Sequence, residues 1–301
     1  MTGRVVVIVG ASSGIGRATA LACARRGDRL VLAARAPDSL RAAERECRGL
    51  GAETLVVPTD VTDPEAVDAL LAAAIERFGR VDVVVHSAAV VAYGRFDELP
   101  AAAFDQVIAT TLTGAANVAR TALRLFRAQG GGHLVVVGSL LGKIAVPYMS
   151  SYVTAKWAVT GLTRTLQVEA RQTPGVQVSL VSPGSVDTPV YQQAASYLGR
   201  GGRPPPPIAA PEKVARTVLR AIDRPRRDAS VGLANPVVVL GFRLLPPVYD
   251  RLVLPLMRLG GLSRTPVPPN DGNLFAPDPA RDAVHGGWVR RRRPAARVRG
   301  R

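Results

Sequence analysis

The chain of 301 residues has only two cysteines, three histidines and few aromatic side chains, 5% of the total. Cys23 and Cys47 both fall in segments of helical pattern. They imply no disulfide framework, so a reducing compartment is the simpler reading. No uncharged apolar run reaches the length of a membrane span, and no metal site is expected. The first β-like run starts at Arg4, which leaves no room for a signal peptide; the expectation is a cytoplasmic protein. Acidic residues are scarce as well, 23 against 39 Lys and Arg, for a net charge of +16.

That excess is unevenly placed. Residues 201–301 hold 19 basic and 7 acidic side chains, so the remaining two thirds of the chain is nearly balanced. Seven of the arginines, Arg290 to Arg293 with Arg297, Arg299 and Arg301, form a basic end. Apart from Trp288 it lacks the interleaved aromatics on which bases stack, so nucleic acid is an unlikely partner.

What the chain does have is an alternation of β-like runs and helical patterns. Strands are expected near 4–9, 29–34, 53–58, 81–86, 132–138 and 175–181, and helices near 14–26, 38–50, 63–78, 104–128, 151–173 and 212–223. Asp63, Pro64 and Glu65 supply an N-cap, a first-turn proline and an early carboxylate for one helix. Such alternation is the signature of an α/β protein with helices on both faces of a parallel sheet. The first run, Val5 to Val9, leads into Gly10-Ala11-Ser12-Ser13-Gly14-Ile15-Gly16 and then directly into a helical pattern. This strand, glycine turn and helix lets backbone approach a pyrophosphate and offers it the free N–H groups of a helix N-terminus.

A second constellation lies between Ser139 and Lys156. Tyr152 and Lys156, four apart on a predicted helix, share one face. A lysine ammonium held there favours the phenolate and draws the tyrosine toward proton transfer near neutrality. Ser139 ends the apolar run Leu134 to Gly138, where its hydroxyl can polarise a carbonyl.

Together with Pro183-Gly184-Ser185-Val186-Asp187-Thr188, these motifs resemble the short-chain dehydrogenase/reductase family over residues 4–235. The resemblance implies a Rossmann-like, doubly wound parallel sheet and an enzyme interconverting a carbonyl and an alcohol with a nicotinamide dinucleotide. It implies that Tyr152 transfers the proton, that Lys156 holds the nicotinamide ribose and stabilises the tyrosinate, and that Ser139 binds the substrate oxygen. Gly10, Ser12, Ser13, Gly14, Ile15 and Gly16 would then cradle the cofactor. Asp60 and Val61 would meet the adenine, Ser87, Ala88 and Ala89 would lie beneath the cofactor, and Pro183, Gly184, Val186 and Thr188 would approach the nicotinamide.

Ala34 stands where an NAD-preferring member carries a carboxylate, and Arg35 follows with a cation suited to a 2′-phosphate, to which Arg17 could add. NADP(H) is therefore expected over NAD(H). Three departures stand out: Val9 replaces the family's threonine, His86-Ser87-Ala88-Ala89 replaces Asn-Asn-Ala-Gly, and Thr111 takes the place of the asparagine that supports a proton path to the lysine. His86 is read as a hydrogen-bonded substitute for that first asparagine. Should the departures impair turnover, the alternative is a catalytically weak dinucleotide-binding regulatory protein of the same fold.

Around the reaction centre, Leu140, Leu141, Val146 and Met149, with a lid over 188–211 holding Tyr191 and Tyr197, suggest a small apolar substrate. Tyr148 is assigned to the pocket wall. Three regions are expected: a catalytic domain over 1–235, an apolar amphipathic segment over 236–262 and a flexible Pro/Arg-rich tail over 263–301. The apolar segment could lie on the cytoplasmic face of an anionic membrane, cover the substrate pocket or form a contact in a homo-oligomer.

Overall fold

A computed structural model describes residues 3–289. Seven strands make one all-parallel sheet: β1 (Val5–Val9), β2 (Arg29–Ala34), β3 (Thr54–Pro58), β4 (Val83–His86), β5 (Gly132–Val137), β6 (Val176–Pro183) and β7 (Ala229–Val231). Their spatial order is β3-β2-β1-β4-β5-β6-β7. Every residue of β1 is β-branched and fully buried, as a strand covered on both faces requires. Its side chains alternate between two cores. Val5, Val7 and Val9 pack with Leu70 and Phe126 on one face, and Val6 and Ile8 pack with Leu40 and Val218 on the other.

Helices α1 (Gly14–Arg25), α2 (Pro37–Gly49), α3 (Pro64–Phe78), α4 (Ala101–Ile108), α5 (Gly114–Gln129), α6 (Ser150–Glu169) and α7 (Pro211–Asp223) supply the covering layers. The α3 start is the expected one: the Asp63 carboxylate accepts from the N–H groups of Glu65 and Ala66. Because β1 pairs with β2 on one side and β4 on the other, successive crossovers leave β1 in opposite directions. A crevice therefore opens between β1 and β4 at the C-terminal edge of the sheet.

Three details depart from the sequence reading. The helix expected over 104–128 is two, joined by a wide π turn at Ala109–Thr113. There Gly114 passes so close to Val61 that a Cβ would stand 2.4 Å from its side chain. The short edge strand β7 was not foreseen, because its three residues carry too little pattern. The described part of the expected flexible tail is held against the domain instead. After α8 (Asn235–Leu244) and α9 (Pro246–Leu256), Leu262–Pro266 pairs antiparallel with Arg200–Gly202. Leu274 farther on is completely buried. The basic end, Arg290 to Arg301, lies outside the described residues.

His86, at the end of β4, also differs from expectation: neither ring nitrogen has a hydrogen-bond partner among the described residues. Burial, with the nearby Lys156 charge second, pushes its pKa down to about 3, and burial pushes that of His133 down to about 4. Both rings fold neutral, whereas in the unfolded chain they take up protons near 6.5. Below that pH the unfolded state binds more protons, so stability falls as pH drops from about 6.5 toward 4. The urea midpoint should therefore decrease between pH 7 and pH 4.5, and His86→Asn should make the decrease shallower; equal decreases would refute the assignment.

Candidate active site

The glycine turn closes tightly over the end of β1. Gly10 and Gly14 adopt left-handed φ of 90° and 52°, and a Cβ on Gly16 would lie 2.0 Å from the Gly10 carbonyl oxygen. No side chain caps α1 and no acidic residue stands in its first turn, so its N-terminus is suited to an anion. The Ser87 hydroxyl donates to the Val9 carbonyl at 2.9 Å, bracing β4 against β1 where the family's amide is missing.

One cavity of about 580 Å³ runs from Arg35 past the glycine turn to Tyr152. Gly10, Ser12, Ser13, Gly14, Ile15 and Gly16 line it, as do Val61, Ser87, Ala88, Ala89, Pro183, Gly184, Val186 and Thr188. Asp60 and Thr111 do not. The Asp60 carboxylate accepts from both the N–H and the hydroxyl of Thr62, which shapes the turn rather than facing the cavity. Thr111 is buried in the π turn, where its hydroxyl meets the backbone N–H and carbonyl of Val90 at 3.3 and 3.4 Å. Arg17 is likewise committed elsewhere, with Nε and Nη2 donating to Glu46 at 3.2 and 2.8 Å. Tyr148, at φ 69°, points its hydroxyl to Arg258 and lies outside this cavity.

Ser139, Tyr152 and Lys156 come together at the far end. Ser139 extends from β5 and its hydroxyl accepts from the Leu141 N–H at 3.0 Å. Tyr152 and Lys156 sit one turn apart in α6, with Nζ 5.7 Å from the tyrosine ring centroid and donating to the Val137 carbonyl at 3.0 Å. Burial pushes the Tyr152 phenol well above its usual pKa, Tyr191 adds to the rise, and a hydrogen bond from Ser139 opposes it. Burial, not the expected pull of the lysine, thus sets the direction for the phenol, and burial brings Lys156 itself down to about 8.

Beyond this centre the wall is apolar. Val253 and Met257, in and just after α9, pack with Val91, Tyr93, Met149 and Val190, so the 236–262 segment covers the tyrosine end of the cavity. Tyr249 ties it down by donating to the Ala145 carbonyl at 2.7 Å, and Phe242 sits edge-on to both Tyr249 and Trp157. Arg35, which lines the opposite end, donates to the carbonyls of Asn273 and Leu274 at 2.6 and 3.0 Å. Sequence reasoning missed Tyr93 and these C-terminal contacts, because no local pattern marks a backbone carbonyl as a partner.

Residues 4–198 match the family described as short chain dehydrogenase. The chain belongs to that family. Cis-4-hydroxycyclohexanecarboxylate dehydrogenase of Sinomonas cyclohexanicum is 38% identical over 229 residues, 71% of this chain and 87% of its own length. An alcohol dehydrogenase from the archaeon Thermococcus sibiricus, complexed with 5-hydroxy-NADP, superposes with a TM-score of 0.65 at 34% identity, covering 76% of this chain and 94% of its own. A short chain dehydrogenase/reductase from Burkholderia phymatum, in complex with NAD, has a TM-score of 0.72 at 28% identity and covers 89% and 98%. This short-chain dehydrogenase is therefore an NAD(P)-dependent oxidoreductase acting on carbonyl and alcohol groups.

The residues present fit such a dinucleotide: a helix N-terminus with no side-chain cap and no acidic residue in its first turn, left-handed glycines at the turn and one continuous cleft reaching the tyrosine. When bound, the cofactor supplies or accepts the hydride. An alkaline limit to turnover is expected from the protein's own titration. Lys156 loses its ammonium as pH rises through about 8, and with it the charge that would stabilise a tyrosinate. Carbonyl reduction should fall across that range, and Lys156→Arg, at a lower rate, should shift the fall upward because a guanidinium stays charged. A fall at the same pH in both proteins would rule out Lys156 as its origin.

Proposed function

We propose that this enzyme interconverts apolar ketones or aldehydes and their alcohols, with NADP(H) preferred. Tyr152 gives a proton to the carbonyl oxygen in reduction and takes it back in oxidation, Ser139 holds that oxygen, and Lys156 steadies the charge left on the phenol. Convergence of these three side chains on one wall of a cleft whose other wall is Leu141, Val146, Met149, Val190 and Val253 carries the reading. A relative is named for a cyclohexane ring that carries an alcohol and a carboxylate, which supports a ring alcohol as one kind of substrate. The NADP preference rests on Ala34, which offers no carboxylate to a ribose, and on the Arg35 cation beside it. Tyr152→Phe keeps the ring and removes the proton donor. Turnover should fall at least about a thousandfold, within the usual scale of such catalysis. The variant should still bind both dinucleotides, NADPH more tightly, by fluorescence titration; undiminished turnover, or tighter NADH binding, would refute the corresponding part.

A second surface bears on where the substrate comes from. Val237, Leu240 and Leu244 line one side of α8 at 72%, 58% and 67% exposure, and Leu252, Leu256 and Leu259 continue at helical spacing along α9 and beyond. Leu245, Val248, Leu252 and Leu256 are exposed and also line the cavity, so its mouth has an apolar rim. Among the described residues no helix is long and apolar enough to cross a membrane. Exposed Arg243, Arg251 and Arg258 flank the rim, which suits shallow contact with an anionic lipid surface, reinforced by the arginines beyond residue 289. The full chain should sediment with anionic vesicles at low salt and be released at high salt. Failure to sediment at low salt would assign the leucines to a contact between copies of the chain.

A further inference from the structure

The path of the C-terminal segment past the dinucleotide site is unusual in what its backbone touches. Leu274 anchors it, fully buried beside Val90, Ala103 and Val107. From there the Asn273 and Leu274 carbonyls accept from Arg35 just beyond the end of β2. Nine residues on, the Ala283 carbonyl accepts from the Gly14 N–H at 2.8 Å and the Ser13 hydroxyl at 3.0 Å, at the first turn of α1. The segment then fastens beyond β6: the Gly286 N–H donates to the Asp187 carbonyl at 3.2 Å and the Trp288 N–H to the Asp187 carboxylate at 2.8 Å. The Trp288 ring stands edge-on to Tyr191 at 6.0 Å. His285 bridges the Asp187 and Glu212 carboxylates at 3.6 and 2.8 Å.

We propose that residues 273–288 form the outer wall of the dinucleotide site, a strap that closes over the bound cofactor and must open for its exchange. The inference rests on the dinucleotide reading above. The strap walls the cleft and does not fill it: with every one of these contacts made, the cavity remains continuous from Arg35 to Tyr152, and Pro277, Asp278 and Asp282 line it alongside the glycine turn. Both ends are fixed, one in the apolar core and one on Asp187 and Tyr191, so the span between them bridges the mouth of the cleft. A dinucleotide is too large to pass between the Ala283 carbonyl and the turn while those bonds persist. Arg35 accordingly has two tasks, since the same guanidinium that faces the cofactor end of the cleft holds the strap by two carbonyls. The hydrogen bonds are individually weak, so the strap can open locally while the sheet stays folded.

Limited trypsin digestion of the full-length protein tests this, because Arg281 lies within the strap with its side chain 57% exposed. Binding of NADPH and NADH is first measured by fluorescence titration. Bound dinucleotide should slow cleavage after Arg281 by about tenfold or more, since closure suppresses local opening. Trp288→Ala, which removes the indole's edge contact with Tyr191 and its Nε1–H bond to the Thr188 carbonyl but no group lining the cleft, loosens the far fastening and should raise the stopped-flow dissociation rate of the dinucleotide by about tenfold and speed cleavage after Arg281. Binding without protection, or faster cleavage on binding together with tighter binding by Trp288→Ala, would show that the strap competes with the cofactor and overturn the inference alone. No binding of either dinucleotide would overturn the reading beneath it and the inference together.

Discussion

The close approach between the end of β1 and the start of α1 is the constraint on which the site depends. Gly16 lies against the Gly10 carbonyl at a distance no Cβ would tolerate, and Gly10 itself passes Ala88 so closely that a Cβ would meet its nitrogen at 2.8 Å. That proximity sets the N-terminus of α1 directly over the crevice between β1 and β4. The same turn presents the Gly14 N–H and the Ser13 hydroxyl outward, toward whatever crosses the cleft. A side chain at Gly16 would meet the Gly10 backbone first, which cannot give way as a flexible side chain can.

Burial shapes the chemistry at the other end of the cleft. Lys156 and His86 are buried and Tyr152 is half-buried at the cleft, and burial drives each toward its neutral form: the phenol up, the ammonium and the imidazolium down. An uncharged environment of this kind makes any charge that develops during reaction interact strongly with its few neighbours. Ser139 and Lys156 are polar groups beside the phenol, while Thr111, which replaces a family amide, turns to backbone and His86, which replaces another, has no hydrogen-bond partner among the described residues.

Much of the fold and part of the site were legible in the sequence. Fully β-branched β1, the Asp63-Pro64-Glu65 cap and the glycine spacing each encode a local geometry that needs no distant partner. The tyrosine and lysine four apart on α6 were equally readable, since helical spacing alone puts them together. What escaped depends on contacts between remote parts of the chain. Arg17 looked like a phosphate ligand until α2 brought Glu46 to it. Asp60 turned to Thr62, and Arg35 found carbonyls 238 and 239 residues away. The C-terminal residues that reach it belong to a proline-rich stretch without apolar periodicity, a composition that reads as unstructured; among the described residues after Pro266, Leu274 is the buried apolar side chain that ties it to the core.

The wide turn between α4 and α5 sets the rotational phase of α5. A regular α-helix advances about 100° per residue, whereas the five residues Ala109–Thr113 form a π turn that takes up one residue more. α5 therefore begins about one residue step out of phase with a straight continuation of α4. That offset lets Ala115, Val118, Ala119 and Ala122 face the sheet while Gly114 clears Val61. Deleting a single residue from 109–113 would restore ordinary helical winding and leave this face toward the sheet, because the wide turn already absorbs that one residue, whereas inserting a further residue would rotate the face by about 100° away from the core.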